Sequence, residues 1–95
     1  MGTVIQTDEA QADLLRIWLF IAAESIEGAD KLVDSVNESC QMLADKPMAG
    51  RTRDDLADGM RSFAAGKYVI FYLPARGGIL VLRVLHGAQD AYRQF

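Results

Sequence analysis

The 95 residues are enough for one domain with a modest core, and a chain that is 51% hydrophobic and 24% charged has the composition of a folded protein, not of a disordered tail. Its net charge of -3 hides a division: residues 1–45 hold two basic side chains against nine acidic, residues 46–95 eight basic against four acidic. Cys40 is the only cysteine, which excludes an intramolecular disulfide and a cysteine metal cluster.

The chain opens on "TVIQT", a short apolar alternation that predicts a strand. Thr7 is placed to cap a helix, with Asp8 and Glu9 in the first turn, where negative charge suits the helix dipole. Ala10, Leu14, Ile17 and Ile21 follow at helical spacing with Trp18 beside them, so the first helix is expected to run to about Ser25. It contains "LLRIWLFIAA", an apolar run fenced by Asp13, Arg16 and Glu24, whereas a spanning helix needs about 20 consecutive apolar residues. The first twelve residues also lack the basic start of a secretory signal. A cytoplasmic protein with no membrane partner is therefore expected.

Gly28 allows a turn, after which Ala29, Leu32, Val33, Val36, Cys40, Leu43 and Ala44 mark a second helix that Pro47 stops. The polar stretch "KPMAGRTRDDLADG" reads as an irregular connection with one short helical turn at most. From Met60 the period changes to two, and "MRSFAA", "KYVIFYLP" and "ILVLRVLH" predict three antiparallel strands separated by Gly66 and by an "ARGG" turn. The expected fold is a single α+β domain over residues 1–95: a short strand and an antiparallel helix hairpin on one face of a small antiparallel sheet, β-α-α-β-β-β.

Alternation assigns the faces. Leu80, Leu82, Val84 and His86 share one side of the last strand, and Ile79, Val81, Arg83 and Leu85 the other. Because an unpaired charge is rarely buried, Leu82 and Val84 are expected under the helices and Arg83 on the open face. Arg61 and Phe63 are turned outward by the same reasoning, which puts two arginines on the uncovered side of the sheet.

No phosphate loop, dinucleotide fingerprint, zinc-protease motif or calcium loop occurs, so no cofactor or metal is expected. His86 is the sole histidine, and Asp90 lies four residues away, within reach of a structural hydrogen bond. Arg51 and Arg53, with Arg61 and Arg83, could form a basic patch for phosphates or carboxylates, although Asp54 and Asp55 beside them weaken its field. Tyr68 and Tyr72 share a strand face and Tyr92 lies in the tail; each reads equally as a core or rim residue or as a stacking platform.

Three segments in this order, "DLLRIWLFIA", "KPMAGRTRDDLADGMRSF" and "YVIFYLPARGGILVLRVLHGAQD", resemble the ParE toxins of the RelE/ParE superfamily. In the middle segment Pro47, Gly50, Arg51, Arg53, Leu56, Gly59, Arg61 and Ser62 match the family's pattern. In the last, Phe71, Tyr72, Arg83, Leu85, His86, Gly87 and Asp90 do. The resemblance implies a non-enzymatic toxin of a type II toxin-antitoxin pair that inhibits DNA gyrase. It would be held inactive in a hetero-oligomer by a cognate ParD-like antitoxin, and would make no sequence-specific DNA contact of its own. Arg51, Arg53, Arg61, Arg83 and His86 are then the candidate target-binding residues.

Two other readings stand beside it. A RelE-like, ribosome-dependent mRNA endonuclease would use Arg61 and Arg83 catalytically, but Asp54, Asp55 and Asp58 occupy positions where lysines would be expected. A non-toxic protein-binding domain could also keep the fold. Within the apolar run Leu14, Ile17, Trp18 and Ile21 form the core stripe. Leu15, Leu19 and Phe20 are left over, and at least one of them is expected to be covered by the antitoxin or by a second toxin chain.

Overall fold

A computed structural model describes residues 1–95. Strand β1 (Thr3–Gln6) leads into helix α1 (Asp8–Ala22), where the Thr7 side chain accepts a hydrogen bond from the Ala10 N–H as expected of its cap. Helix α2 (Ile26–Asp45) begins earlier than the sequence predicts. Ser25 caps it by accepting from the Gly28 N–H, so Gly28 lies in the first turn of α2 and not in the connection. Trp18 Nε1 donates to Asp30 across the hairpin at 2.8 Å.

After α2 the polar connection is more ordered than expected. Pro47–Ala49 form one 3-10 turn, and Arg51–Thr52 form a two-residue strand, β2. Strands β3 (Arg61–Ala65), β4 (Tyr68–Ala75) and β5 (Gly78–His86) follow, joined at Gly66 and Gly77, both with positive φ, and a four-residue helix α3 (Ala91–Gln94) ends the chain. The α+β arrangement and element order are as predicted, with β2 and α3 added. The sheet order is β1-β5-β4-β3-β2, mixed because β1 runs parallel to β5.

Between the helices and the sheet lies the main core. Ala10, Val36, Cys40, Leu43 and Ala44 from the hairpin meet Ile70, Tyr72, Ile79, Val81 and Val84 from the strands. Each large side chain buried here contributes about 1.5–3 kcal/mol relative to exposure. Burial also pushes the Cys40 thiol up to about 11. That keeps it protonated and unreactive at neutral pH.

The opposite face is not open. Met60, Phe71 and Leu85 are buried there, packed by Leu56 of the connection and Ala91 of α3. The expected face assignments fail in two places. Phe71 pairs with Arg83 but Tyr72 pairs with Val81, so Leu82 is an extra residue in a bulge. The bulge resets the alternation: Ile79, Val81 and Val84 face the helices, while Leu82 packs on the second face, not under them. In β3 the polarity is inverted. Phe63 packs against the main core, Met60 lies in the second cluster, and Arg61 pairs with Tyr72 on the helix side.

Candidate functional site

Arg83 and Asp13 make the densest polar contact in the molecule. Strand β1 pairs with β5 only as far as Val81, leaving the rest of β5 without a neighbouring strand on that side. Asp13, on the core-facing side of α1 and 1% exposed, fills the vacancy: its Oδ2 accepts from the Val84 N–H at 3.0 Å and from Arg83 Nε at 2.7 Å. Oδ1 accepts from Arg83 Nη2 at 2.9 Å and from Arg16 Nη1 at 3.1 Å. Burial alone would raise this carboxyl. The Arg83 guanidinium, the Val84 N–H and Arg16 outweigh it and hold the group below the usual carboxylate range. Arg83 is thus not free on an open face; it is one half of a bidentate pair that ties α1 to β5.

Arg61 is occupied as well. Its Nη1 donates to the carbonyls of Met48 and Gly50 at 3.1 and 2.7 Å, which fastens the 3-10 turn to β3. Tyr72, fully buried, completes this clasp: its hydroxyl donates to the Pro47 carbonyl and accepts from the Gly50 N–H, both at 2.8 Å. Arg61 and Arg83 therefore do not stand together on one uncovered side of the sheet. Their guanidinium groups serve different clasps.

The remaining candidates surround the second face. Arg53 donates from Nε and Nη2 to the two oxygens of Asp55, each at 3.1 Å, and its guanidinium lies 5.7 Å from the Phe71 ring centroid. The side-chain bonds from Arg53 and from the Tyr92 hydroxyl hold the Asp55 carboxyl far below its ordinary range. Arg51, on β2, is exposed and has no charged or hydrogen-bonded side-chain partner.

His86 does not bond to Asp90. Its Nδ1 accepts from the Ala88 N–H at 3.0 Å, while Asp90 caps α3 through the Tyr92 N–H. The local turn offers each of them a nearer main-chain donor. A neutral His86 ring then carries its proton on Nε2. The ring meets Tyr68 edge-on, 5.3 Å between centroids. Of the three tyrosines only Tyr92 is largely exposed, and it is engaged with Asp55.

A different surface is apolar and unoccupied. Leu15, Leu19 and Phe20 on α1 are 60%, 57% and 77% exposed, and Ile26 at the start of α2 is 63% exposed. Leu15 and Leu19 are one turn apart, with Phe20 next to Leu19 round the helix. Phe20 also borders a groove of about 280 Å³ between α1 and the end of β5, which Arg16, Ile17, Tyr68, Val84 and His86 help to line. A single helix cannot turn every side toward one sheet, and here α2 does not cover the remainder.

Asp13 had no assigned role in the sequence reading. Its signal was nonetheless present: a carboxylate at the helical spacing of Ala10, Leu14 and Ile17, and one arginine in an otherwise apolar strand. No three His, Cys, Asp or Glu side chains are grouped so as to hold a metal ion, and no helix is long and apolar enough to cross a membrane.

Comparison with known proteins follows the same outline. A family model described as the ParE toxin of the type II toxin-antitoxin system parDE matches residues 4–91. Toxin ParE1 of Caulobacter vibrioides is 34% identical over 87 residues, covering 86% of this chain and 85% of that protein. Toxin ParE3 of the same organism is 26% identical over 95 residues, covering 99% and 95%. A solved structure described as the chromosomal ParDE TA system from P. aeruginosa superposes with a TM-score of 0.73 at 23% identity, over 90% of this chain and 96% of that one, a likeness of fold.

Proposed function

This chain belongs to the ParE toxin family of type II toxin-antitoxin systems, and from that premise we propose that it inhibits DNA gyrase by binding and is neutralised by a cognate ParD-like antitoxin. The observation that carries the binding reading is the uncovered set Leu15, Leu19 and Phe20, each more than half exposed on a small domain whose other large apolar side chains mostly find cover. An antitoxin segment laid along α1 would bury them and reach the groove beside Phe20. For the target, Arg51 is the candidate best able to meet a new partner, because Arg53, Arg61 and Arg83 already have carboxylate or carbonyl acceptors. Those same occupied guanidinium groups support binding over RNA cleavage, which would need Arg61 and Arg83 free to meet a phosphate.

The decisive experiment adds the purified chain to gyrase and relaxed plasmid. Supercoiling should stop or cleaved linear DNA should accumulate, and the antitoxin should restore activity. Unimpaired supercoiling together with messenger cleavage on ribosomes would replace this reading with the RelE-like one. A second prediction concerns the antitoxin. Leu19→Asp should leave the melting temperature nearly unchanged, since the side chain is exposed, yet weaken antitoxin binding by about 2 kcal/mol, roughly 30-fold. Calorimetric titration of the two chains checks it, and unchanged affinity for Leu15→Asp, Leu19→Asp and Phe20→Asp alike would place the antitoxin elsewhere.

A further inference from the structure

Beyond β5 the chain folds back over the second face of the sheet. Asp90 caps α3 through the Tyr92 N–H, and no main-chain hydrogen bond joins residues 90–95 to any strand. Ala91 packs on the cluster of Met60, Phe71 and Leu85, and three further contacts hold the segment down. The Tyr92 hydroxyl donates to Asp55 Oδ2 at 2.6 Å, the Phe95 ring lies 5.2 Å from that of Phe71, and Arg83 Nη1 reaches the Gln94 carbonyl and Oε1 at 3.5 and 3.4 Å. Tyr92 and Phe95 remain 63% and 43% exposed while making these contacts.

What lies beneath does not depend on the segment for its charges. Without α3, Arg53 keeps Asp55 and Arg83 keeps Asp13, so lifting the segment strands no buried ion. It would bare an aromatic floor: Phe71, only 3% exposed in the closed state, with Arg53 beside it and Arg83 opposite it on β5. An element tied by the Ala91 packing and a few surface contacts, over a face whose ions stay paired without it, opens at a fraction of the global unfolding free energy.

We propose that Asp90–Phe95 is a releasable strap, latched by Tyr92 on Asp55, that opens while the helix hairpin and sheet stay folded and so gates the arginine-flanked surface around Phe71. The inference is independent of whether gyrase is the target. The strap explains why two of the arginines singled out in the sequence are partly screened in the closed form: Gln94 takes up the Nη1 of Arg83, and Tyr92 shares the carboxylate of Arg53.

The test uses the full chain and backbone relaxation by NMR. In the wild-type protein the α3 amides should show order parameters near those of the sheet and the Phe71 and Phe95 rings should show mutual NOEs. In Tyr92→Phe, and separately in Asp55→Asn, order parameters of residues 91–95 should fall below about 0.6. The Phe71–Phe95 NOEs should vanish while the melting temperature and the amide shifts of Ile70 and Val84 hold; Arg93→Ala should change none of these. A segment already mobile in the wild-type chain, one that stays ordered in both latch variants, or one whose loosening lowers the melting temperature in step would overturn the strap.

Discussion

Replacing Asp13 with alanine is expected to destabilise the domain by about 3 kcal/mol, the lower end of what breaking a buried ion pair costs, because Arg83 retains some access to water. Two groups lose their acceptor at once: the Arg83 guanidinium and the Val84 N–H, which no strand can pair. Asp13→Asn should cost less, since an amide oxygen can still accept from Val84. Chemical denaturation of both variants and of Arg83→Ala checks the order. A double-mutant cycle should return a coupling of about 1 kcal/mol or more between Asp13 and Arg83.

The pair also has a pH signature. The folded-state carboxyl of Asp13 lies below its unfolded value, so its contribution is fully present above the unfolded value near about 3.9 and is lost as pH falls through the folded one. The stability gap between wild type and Asp13→Asn should therefore be constant around neutrality and narrow on acidification below about pH 4. A gap unchanged from neutral pH to strong acid would mean that Asp13 acts by shape and not by charge.

Gly78→Ala is the second large effect. Gly78 and Thr3 are direct partners in the parallel β1–β5 pairing, and a Cβ at Gly78 would stand 1.8 Å from the Thr3 carbonyl oxygen and 2.6 Å from its nitrogen. These are main-chain atoms on both sides, so no rotamer relieves the clash. Either β1 leaves β5, taking Val4 off the core, or the hairpin turn deforms; about 3 kcal/mol is expected, with loss of amide protection at Val4 and Ile5. Gly77→Ala gives the contrast. A Cβ there meets nothing within 4 Å, and only the positive φ of 78° counts against it, so about 1–2 kcal/mol and an intact β1 should result. Equal losses at the two glycines would show that the turn, not the close approach, sets the cost.

Much of the fold was legible in local pattern. The Thr7 cap, the stripe from Ala29 to Ala44, the stop at Pro47 and the period-two segments after Met60 each follow from chemistry within a few residues of themselves. The leftover apolar face of α1 was legible for the same reason: helical spacing alone says that Leu15, Leu19 and Phe20 cannot join Ile17 and Ile21 against one sheet, and their exposure agrees.

The site residues were legible as types and not as partners. Arg61, Arg83 and His86 could be picked out as unusual in their strands, yet placing the arginines outward assumed strict alternation and no internal acceptor. The bulge broke the alternation at Leu82 but left Arg83 on the second face, opposite Phe71. Asp13, seventy residues away in sequence, is the internal acceptor for Arg83. For Arg61 the acceptors are the carbonyls of Met48 in the 3-10 turn and of Gly50 just after it, which the residue sequence does not display at all.

The sequence by itself determined the two long helices, the four main strands, their order, the acidic hairpin and basic sheet, and the family resemblance, because capping, periodicity and turn chemistry act between near neighbours. Only the tertiary structure decided which charges are free. Pairing a buried ion depends on which distant groups the packing brings within about 3 Å, and that packing couples Arg83 to Asp13 and Asp55 to both Arg53 and Tyr92, while Arg51 and the Leu15, Leu19 and Phe20 face stay exposed.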